Sequence, residues 1–290
     1  MIPRILFTIL YPLFWLSSWL PMRILYFISD IFYLIIYHLV KYRRNVVRTN
    51  LVSSYPNKEL SEIIQIEKGY YHHLCDLLIE FWKQITASKS FLENHVELNG
   101  FEKIQDVQES NQSIMMVMGH VNSWEWAAQK ICFRSKFPFY ILYRPLKNKQ
   151  IDKLVLDVRT KFGTELIGMN AIVRYLAKNR DNVVGGCFIA DQNPPKQNAL
   201  WANFLRKETA FFSGFQKLSR KFGQPVYFLE VFKVSRGKYR CTLEELIGNP
   251  KEMTEEEMTQ VFANRLEKQI DEQPSSWLWS HRRWKYHRNS

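Results

Sequence analysis

One short segment of the chain contains the residue types that general-base chemistry needs. In Gly119-His-Val-Asn-Ser-Trp-Glu125, an imidazole and a carboxylate lie five positions apart. Five residues of continuous helix would rotate Glu125 about 140° away from His120, so the two side chains can meet only if His120 precedes the helix. The carboxylate could then bind one imidazole nitrogen and leave the other free to take a proton. Taken alone, the pair is also compatible with a structural histidine.

The residues around this pair restrict the reaction. A hydroxyl attacks poorly until a base removes its proton, and a histidine held by a carboxylate is a common means of removing it. No serine or cysteine stands in a nucleophile-elbow sequence, so we expect the attacking hydroxyl to belong to the substrate. The transferred group would then pass directly to that hydroxyl, without a covalent intermediate on the protein. There is no HExxH sequence and no second histidine close by, so neither a metal nor a cofactor is expected.

The segments on either side of His120 predict a strand followed by a helix. Residues 113–118 form a continuous apolar run, which is typical of a strand buried on both faces. Residues 124–130 have the pattern of a helix start, with Asn122 or Ser123 available as the N-cap. His120 is therefore expected on a strand-to-helix turn.

The same alternation continues along the chain. Further strand-like runs are predicted at residues 139–143, 165–167, 183–190, 226–234 and 239–243, and helical stretches at residues 149–162, 170–178 and 214–222. The predicted fold class is α/β, with a mostly parallel central sheet flanked by helices. Sites in such sheets form at the carboxyl ends of the strands.

The first forty residues are apolar. Two runs, residues 5–20 and 24–40, are separated by Pro21. Each run is slightly shorter than the roughly 20 residues that cross a bilayer core, so a spanning helix, a shallow hairpin and two interfacial helices all stay open, as do two ordinary core helices of a soluble protein. We expect residues 1–42 to be a membrane-anchoring helical segment and residues 43–290 to be the catalytic α/β domain.

Charge and composition suggest the partners. The formal net charge is +12, which favours anionic partners. Basic residues follow the apolar segment directly at Lys41, Arg43, Arg44 and Arg48, which predicts that the remaining chain faces the cytoplasm. The aromatic and basic tail, residues 277–288, could suit single-stranded nucleic acid, but the apolar N-terminus favours a membrane interface. Four widely spaced cysteines, Cys75, Cys132, Cys187 and Cys241, predict reduced, mostly buried thiols.

Beyond these patterns, the sequence resembles the lysophospholipid acyltransferase superfamily, and within it the bacterial late acyltransferases of lipid A biosynthesis. Gly119-His-Val-Asn-Ser-Trp-Glu-Trp126 is similar to the family's His-x4-Asp/Glu block. Four further similar blocks follow in order: Tyr143-Arg-Pro-Leu-Lys-Asn148, Phe188-Ile-Ala-Asp-Gln-Asn-Pro194, Thr209-Ala-Phe-Phe-Ser-Gly214 and Trp279-Ser-His-Arg-Arg-Trp-Lys285.

The resemblance implies a glycerolipid-acyltransferase-like fold and a specific reaction. A fatty acyl chain would pass from acyl carrier protein to a hydroxyl of a lipid A precursor, at the cytoplasmic face of the inner membrane, with His120 as general base and Glu125 as its orienting carboxylate. Six further residues would bind substrate: Arg144, Arg159, Asp191, Gln192, Thr209 and Ser213. Acyl carrier protein, the lipid acceptor and the membrane are the expected partners, nucleic acid is not expected, and the chain is expected to be a monomer.

Two departures leave the substrate open. The His block ends in Glu125, where the family also uses Asp, and residues 196–201 form a loop sequence of this chain's own. The acceptor could instead be another phospholipid, glycolipid or aminolipid, and coenzyme A could replace acyl carrier protein as donor. A non-enzymatic alternative is a membrane scaffold that binds carrier protein or lipid.

Overall fold

The computed structural model describes residues 4–143, 145–194, 199–286 and 288. Nine strands occur in these ranges: β1 Val96–Asn99, β2 Ile114–Met118, β3 Phe139–Tyr143, β4 Glu165–Gly168, β5 Gly185–Ile189, β6 Ala199–Phe204, β7 Lys207–Phe212, β8 Val226–Ser235 and β9 Lys238–Ile247.

Eleven α-helices accompany the strands in the same ranges: α1 Arg4–Ser17, α2 Met22–Tyr33, α3 Arg44–Ser54, α4 Leu60–Lys83, α5 Lys89–His95, α6 Glu102–Glu109, α7 Trp124–Arg134, α8 Lys149–Thr160, α9 Ile172–Lys178, α10 Gly214–Phe222 and α11 Glu255–Glu272. A π-helical stretch, Leu34–Val40, continues α2, and short 3₁₀ turns occupy Pro250–Glu252 and Pro274–Ser276.

Seven strands form one sheet in the order β1-β9-β8-β2-β5-β3-β4. Every pair in this sheet is parallel except β8 with β9, which form an antiparallel hairpin. The predicted α/β class with a mostly parallel sheet is confirmed. Strands β6 and β7 form a separate antiparallel hairpin that the sequence did not predict.

The central strand β2 shows why its sequence is apolar without interruption. All five of its residues are buried, and they alternate between two cores. Met115 and Val117 point into the core built with α4, α10 and α11, while Met116 packs with α5, α6 and α7 on the opposite face. A strand covered by helices on both faces has no position for a polar side chain, so the apolar run predicts its burial correctly.

A glycine in β5 leaves room for side chains of the two strands that flank it, β2 and β3. A Cβ added to Gly186 would lie 2.4 Å from the hydroxyl oxygen of Tyr140 and 2.9 Å from Sδ of Met115. We expect Gly186→Ala to lower the free energy of unfolding by about 1–3 kcal/mol, because the buried ring must move. Gly168→Ala is the control, since nothing lies within 4 Å of its Cβ position. Chemical denaturation of both variants measures the difference, and equal stabilities would contradict the packing argument.

The C-terminal tail differs from the prediction. Its aromatic and basic residues are predicted to lie at a membrane interface, but Trp277, Trp279 and Arg283 are each at most 1% exposed. The tail passes beside the sheet, where the side chain of Asn50 on α3 donates to the backbone carbonyls of Trp279 (2.9 Å) and His281 (3.0 Å). These side chains therefore belong to the protein interior. Each of the four cysteines is buried and free, as expected.

Candidate active site

The ends of two neighbouring parallel strands bring the first site residues together. Strands β2 and β5 pair in register with Met118 opposite Ile189, and the backbone N–H of Ala190 donates to the carbonyl of Met118 at 3.0 Å. His120 and Asp191 both lie two residues beyond these paired strand ends. Their side chains consequently meet at the carboxyl edge of the sheet, where sites of α/β proteins form.

The imidazole of His120 is held by Asp191. Nδ1 of His120 lies 2.5 Å from Oδ1 of Asp191, and the backbone N–H of His120 donates to Oδ2 at 2.9 Å. The Asp191 side chain is 2% exposed and that of His120 is 15% exposed. Because a carboxylate can only accept a hydrogen bond, Nδ1 carries the proton and Nε2 holds the lone pair.

The Asp191 carboxyl is ionised despite its burial. Burial raises its pKa, but the His120 imidazole, the His120 backbone N–H and the Trp277 indole together outweigh that effect and hold the pKa below its ordinary value. A buried carboxylate held in this way would stabilise a positive charge on the imidazole.

The second imidazole nitrogen faces the loop after β5. Nε2 of His120 lies 3.2 Å from the side-chain amide nitrogen of Gln192, which therefore donates to the lone pair. His120 also packs edge-on against Trp124, with the ring centroids 5.0 Å apart. The amide of Gln192 marks the position where a substrate hydroxyl could approach the base.

Asn122 shapes the turn that carries His120. Its φ of 53° lies in the left-handed region, which asparagine tolerates better than most residues. Its side-chain amide is buried and donates to the carbonyl of Val231 at 2.7 Å and to Oε1 of Gln273 at 2.9 Å. The turn ends at Ser123, which occupies the N-cap position of α7 without a side-chain capping bond. His120 therefore does precede the helix, as predicted.

Glu125 does not contact His120 in the described part of the chain. It lies in the first turn of α7 and binds Arg159 of α8 through two hydrogen bonds, Arg159 Nη2 to Oε1 at 2.5 Å and Nε to Oε2 at 3.2 Å. The predicted contact between Glu125 and the imidazole is thus replaced by one from Asp191. The first turn of a helix points Glu125 toward the neighbouring helix, whereas the end of β5 lies beside the end of β2.

We expect the Glu125–Arg159 pair to stabilise the junction of α7 and α8. Its side chains are 15% and 25% exposed, so Glu125→Gln leaves a largely buried guanidinium without its charged partner. The free energy of unfolding should fall by about 1–3 kcal/mol in chemical denaturation. Glu97→Gln is the matched control, because its pair with Arg240 is 57% and 46% exposed and should contribute less than about 1 kcal/mol. Equal effects of the two substitutions would contradict this role.

The other predicted binding residues differ in whether they bind His120 or Asp191. Gln192 binds His120, whereas Arg159 binds Glu125 and has no hydrogen bond to His120 or Asp191 among the residues that the structure describes. No hydrogen bond links Thr209 or Ser213 to His120 or Asp191 within the described ranges; the Thr209 hydroxyl accepts from the indole N–H of Trp284 at 2.8 Å. Arg144 lies outside the described residues.

The C-terminal strap, residues 273–284, supplies contacts that sequence reasoning missed. The indole N–H of Trp277 donates to Oδ2 of Asp191 at 2.7 Å. The strap also holds Asn193, whose side-chain amide donates to the Arg282 carbonyl at 2.6 Å and whose Oδ1 accepts from Nη1 of Arg283 at 2.8 Å. The strap therefore fixes the loop after β5 that carries Asp191.

Comparisons with known proteins identify the family of the chain. Residues 1–286 match the model of the family described as bacterial lipid A biosynthesis acyltransferase. The chain is 26% identical over 283 residues to the lipid A biosynthesis palmitoleoyltransferase of Escherichia coli (strain K12) and, to the same extent, to the lipid A biosynthesis acyltransferase of Shigella flexneri. Each alignment covers 93% of this chain and 88% of the relative. The chain thus belongs to the bacterial lipid A biosynthesis acyltransferase family and is an acyltransferase.

Proposed function

We propose that this protein transfers a fatty acyl chain from acyl carrier protein to a hydroxyl of a lipid A precursor, with His120 as the general base. The observation that supports this best is the His120–Asp191 pair at the carboxyl edge of the sheet, in which Nδ1 is held at 2.5 Å and Nε2 faces the loop after β5. Membership of a lipid A biosynthesis family supports the class of acceptor.

In the proposed reaction, His120 takes up one proton and later gives it back. Nε2 of His120 takes the proton of the acceptor hydroxyl as its oxygen attacks the thioester carbonyl carbon of the donor. The tetrahedral intermediate collapses, the carbon–sulfur bond breaks, and the imidazolium gives its proton to the leaving thiolate. An ester and a free thiol result, and no acyl group is bound to the protein.

Asp191 takes the orienting role that the sequence analysis gave to Glu125. It binds Nδ1–H, so Nε2 keeps its lone pair, and its negative charge stabilises the imidazolium. Glu125 then acts by holding Arg159 against the start of α7. In this proposal the two acidic residues have separable effects, one on the chemical step and one on the stability of the helix junction.

Lipid analysis of a strain that lacks the gene tests which lipid is the acceptor. Mass spectrometry should show lipid A that has lost one acyl chain, with phospholipids unchanged, and a plasmid copy should restore it. A plasmid copy with His120→Ala should not. Loss of an acyl chain from a phospholipid, glycolipid or aminolipid instead would contradict the proposed acceptor, and restoration by His120→Ala would point to a non-catalytic role such as a scaffold.

We also propose that the protein acts at the cytoplasmic membrane surface, with α2 lying along the bilayer. The stretch Met22–Val40 is long and apolar enough to cross a membrane by length and composition alone. However, three hydroxyls on this stretch donate to buried carboxylates of α4: Tyr26 to Glu80 (2.8 Å), Ser29 to Asp76 (2.7 Å) and Tyr37 to Glu67 (3.0 Å). The stretch is therefore bound along its side to the catalytic domain.

This side-on contact argues against a crossing helix. The contacts from Tyr26 to Tyr37 extend over roughly 16 Å, half the thickness of a bilayer core. A crossing orientation would carry the carboxylates of α4 into hydrocarbon, which is costly. The outward face instead offers exposed apolar side chains to lipid: Ile24, Phe27, Ile31, Leu34, Ile35 and Leu39. Such a helix suits the interfacial region.

Vesicle flotation of the purified protein tests this orientation. Phe27→Asp combined with Ile31→Asp should lower the bound fraction about tenfold or more, because two charges replace the apolar contact. Val173→Asp is the control. Val173 is also exposed, but it lies on α9 beside β4, which is the edge strand farther from β9.

The side of the membrane is tested in intact cells. A cysteine placed at Ser17 should react with an impermeant thiol reagent only after lysis. Reaction in intact cells would place position 17 on the outer side of the membrane and contradict the proposed orientation.

A further inference from the structure

A tryptophan of the C-terminal strap completes the hydrogen bonding of the carboxylate beneath His120. Oδ2 of Asp191 accepts from the indole N–H of Trp277 at 2.7 Å and from the backbone N–H of His120 at 2.9 Å, while Oδ1 binds the imidazole. Both carboxylate oxygens are therefore held. Without the indole, Oδ2 would keep only its bond to the His120 backbone, and the two remaining partners of the carboxylate would both belong to the residue that it has to orient.

We propose that Trp277 is a positioning residue for general-base catalysis, which acts through Asp191 and does not touch the substrate. This inference rests on the proposed function, because it assumes that His120 is the base. Trp277 is 1% exposed, so its ring is not available to a ligand. Its influence on the reaction must pass through the carboxylate that it binds.

The backbone around Trp277 is attached to the turn that carries His120. Trp277 forms an antiparallel bridge with Val121, and the carbonyl of the preceding Ser276 accepts from the backbone N–H of Asn122 at 3.1 Å. The residues directly after the base thus pair with the residues that place the indole. This arrangement fixes the distance between the tryptophan and the His120 turn, which packing of the ring alone would not do.

The effect of the Trp277 N–H can be distinguished experimentally from the effect of the size of its ring. Trp277→Phe keeps an aromatic ring in the core and removes only the donor and part of the indole. Trp279 provides a matched control, because it is also fully buried and its indole N–H donates at 2.6 Å to a backbone carbonyl, that of Pro274, instead of to Asp191. The two rings pack edge-to-face with centroids 4.7 Å apart, so their apolar surroundings overlap.

Loss of the donor should also change the pH dependence in a defined direction. Without the indole N–H, the negative charge of Asp191 is less stabilised and attracts the Nδ1 proton of His120 more strongly. The protonated imidazole is then favoured, and the base is inactive up to a higher pH. The acid limb of the kcat/KM profile should therefore move upward. A change in packing alone would lower activity without moving this limb.

The experiment compares steady-state transfer by the full-length wild type, Trp277→Phe and Trp279→Phe from acyl carrier protein to the lipid A precursor. We expect Trp277→Phe to lower kcat about 10- to 100-fold with little change in KM, and to move the acid limb up by roughly half to one pH unit. Trp279→Phe should stay within about threefold of wild type and keep its pH profile.

A second variant distinguishes loss of the hydrogen bond from loss of stability. Trp277→His keeps an N–H donor on a smaller ring, so we expect it to be less stable than Trp277→Phe but more active. The inference is overturned if Trp277→Phe keeps the wild-type kcat and acid limb, if Trp279→Phe loses as much activity, or if activity follows stability across all the variants. An inactive wild type would instead refute the proposed function itself.

Discussion

Asp191→Asn should reduce kcat about 10²- to 10⁴-fold while KM changes little. The amide is close in size to the carboxylate and can still accept from Nδ1–H of His120, but it carries no negative charge to stabilise the imidazolium. Asparagine can also present its NH₂ group to Nδ1, which would favour the tautomer with the proton on Nε2 and remove the base. Steady-state kinetics of the purified variant measures the loss.

The comparison with Glu125→Gln decides which carboxylate serves His120. Glu125 binds Arg159 and has no described contact with the imidazole, so its substitution should lower kcat about tenfold or less. Both variants need unfolding curves, because Glu125→Gln is expected to be less stable. A larger loss of kcat in Glu125→Gln than in Asp191→Asn would show that the carboxylate of the His block orients the base after all.

His120→Ala should reduce transfer by about 10³-fold or more, to the limit of detection in most assays. The variant has no imidazole at the position of Nε2 beside Gln192, so the acceptor hydroxyl loses its base. The variant should still fold and bind vesicles, because the His120 ring lies at the edge of the site and is partly exposed. Activity is measured by mass of the acylated product, and folding by thermal unfolding.

The pH dependence of the residual activity of His120→Ala provides a second test. If His120 is the base, the acid limb of the wild-type pH profile should be absent from the variant, because the group that titrates has been removed. Transfer at the wild-type rate, or an unchanged acid limb at a lower rate, would contradict the catalytic assignment of His120.

Much of the sheet could be predicted from local pattern. The apolar run of β2 and the helix start at Trp124 predict that His120 lies on the turn between them, and the structure agrees. Strands buried on both faces and amphipathic helices leave strong local signals, because each residue meets the same kind of surroundings over the whole element.

The hairpin of β6 and β7 left no such signal. Its turn is formed by Leu205 and Arg206, which have φ values of 48° and 64°. A two-residue turn with both residues in the left-handed region usually contains asparagine or glycine, so the sequence gives no indication of it. Tertiary contacts hold it instead: the backbone N–H of Leu205 donates to Glu267 of α11 at 2.7 Å.

The partner of His120 was harder to predict because it depends on strand order. Asp191 follows β5 and is 71 residues from His120. Only the pairing of β2 with β5 brings the two together, and the sequence does not show which strands are neighbours. The nearby Glu125 was the more visible choice. Trp277 was missed for a related reason: an aromatic residue in a basic tail resembles a membrane anchor until the tail is seen to fold back onto the sheet.

We propose that this chain moves an acyl group from a carrier-protein thioester directly to a lipid A precursor. The measurement that tests it most directly is mass spectrometry of the products when the purified full-length protein is mixed with that precursor and with acyl carrier protein that carries a fatty acyl thioester. We predict an acceptor heavier by one acyl chain, an equal amount of free carrier thiol, and a protein of unchanged mass, with no product from His120→Ala. An unmodified acceptor, or an acyl group bound to the protein, would contradict the claim.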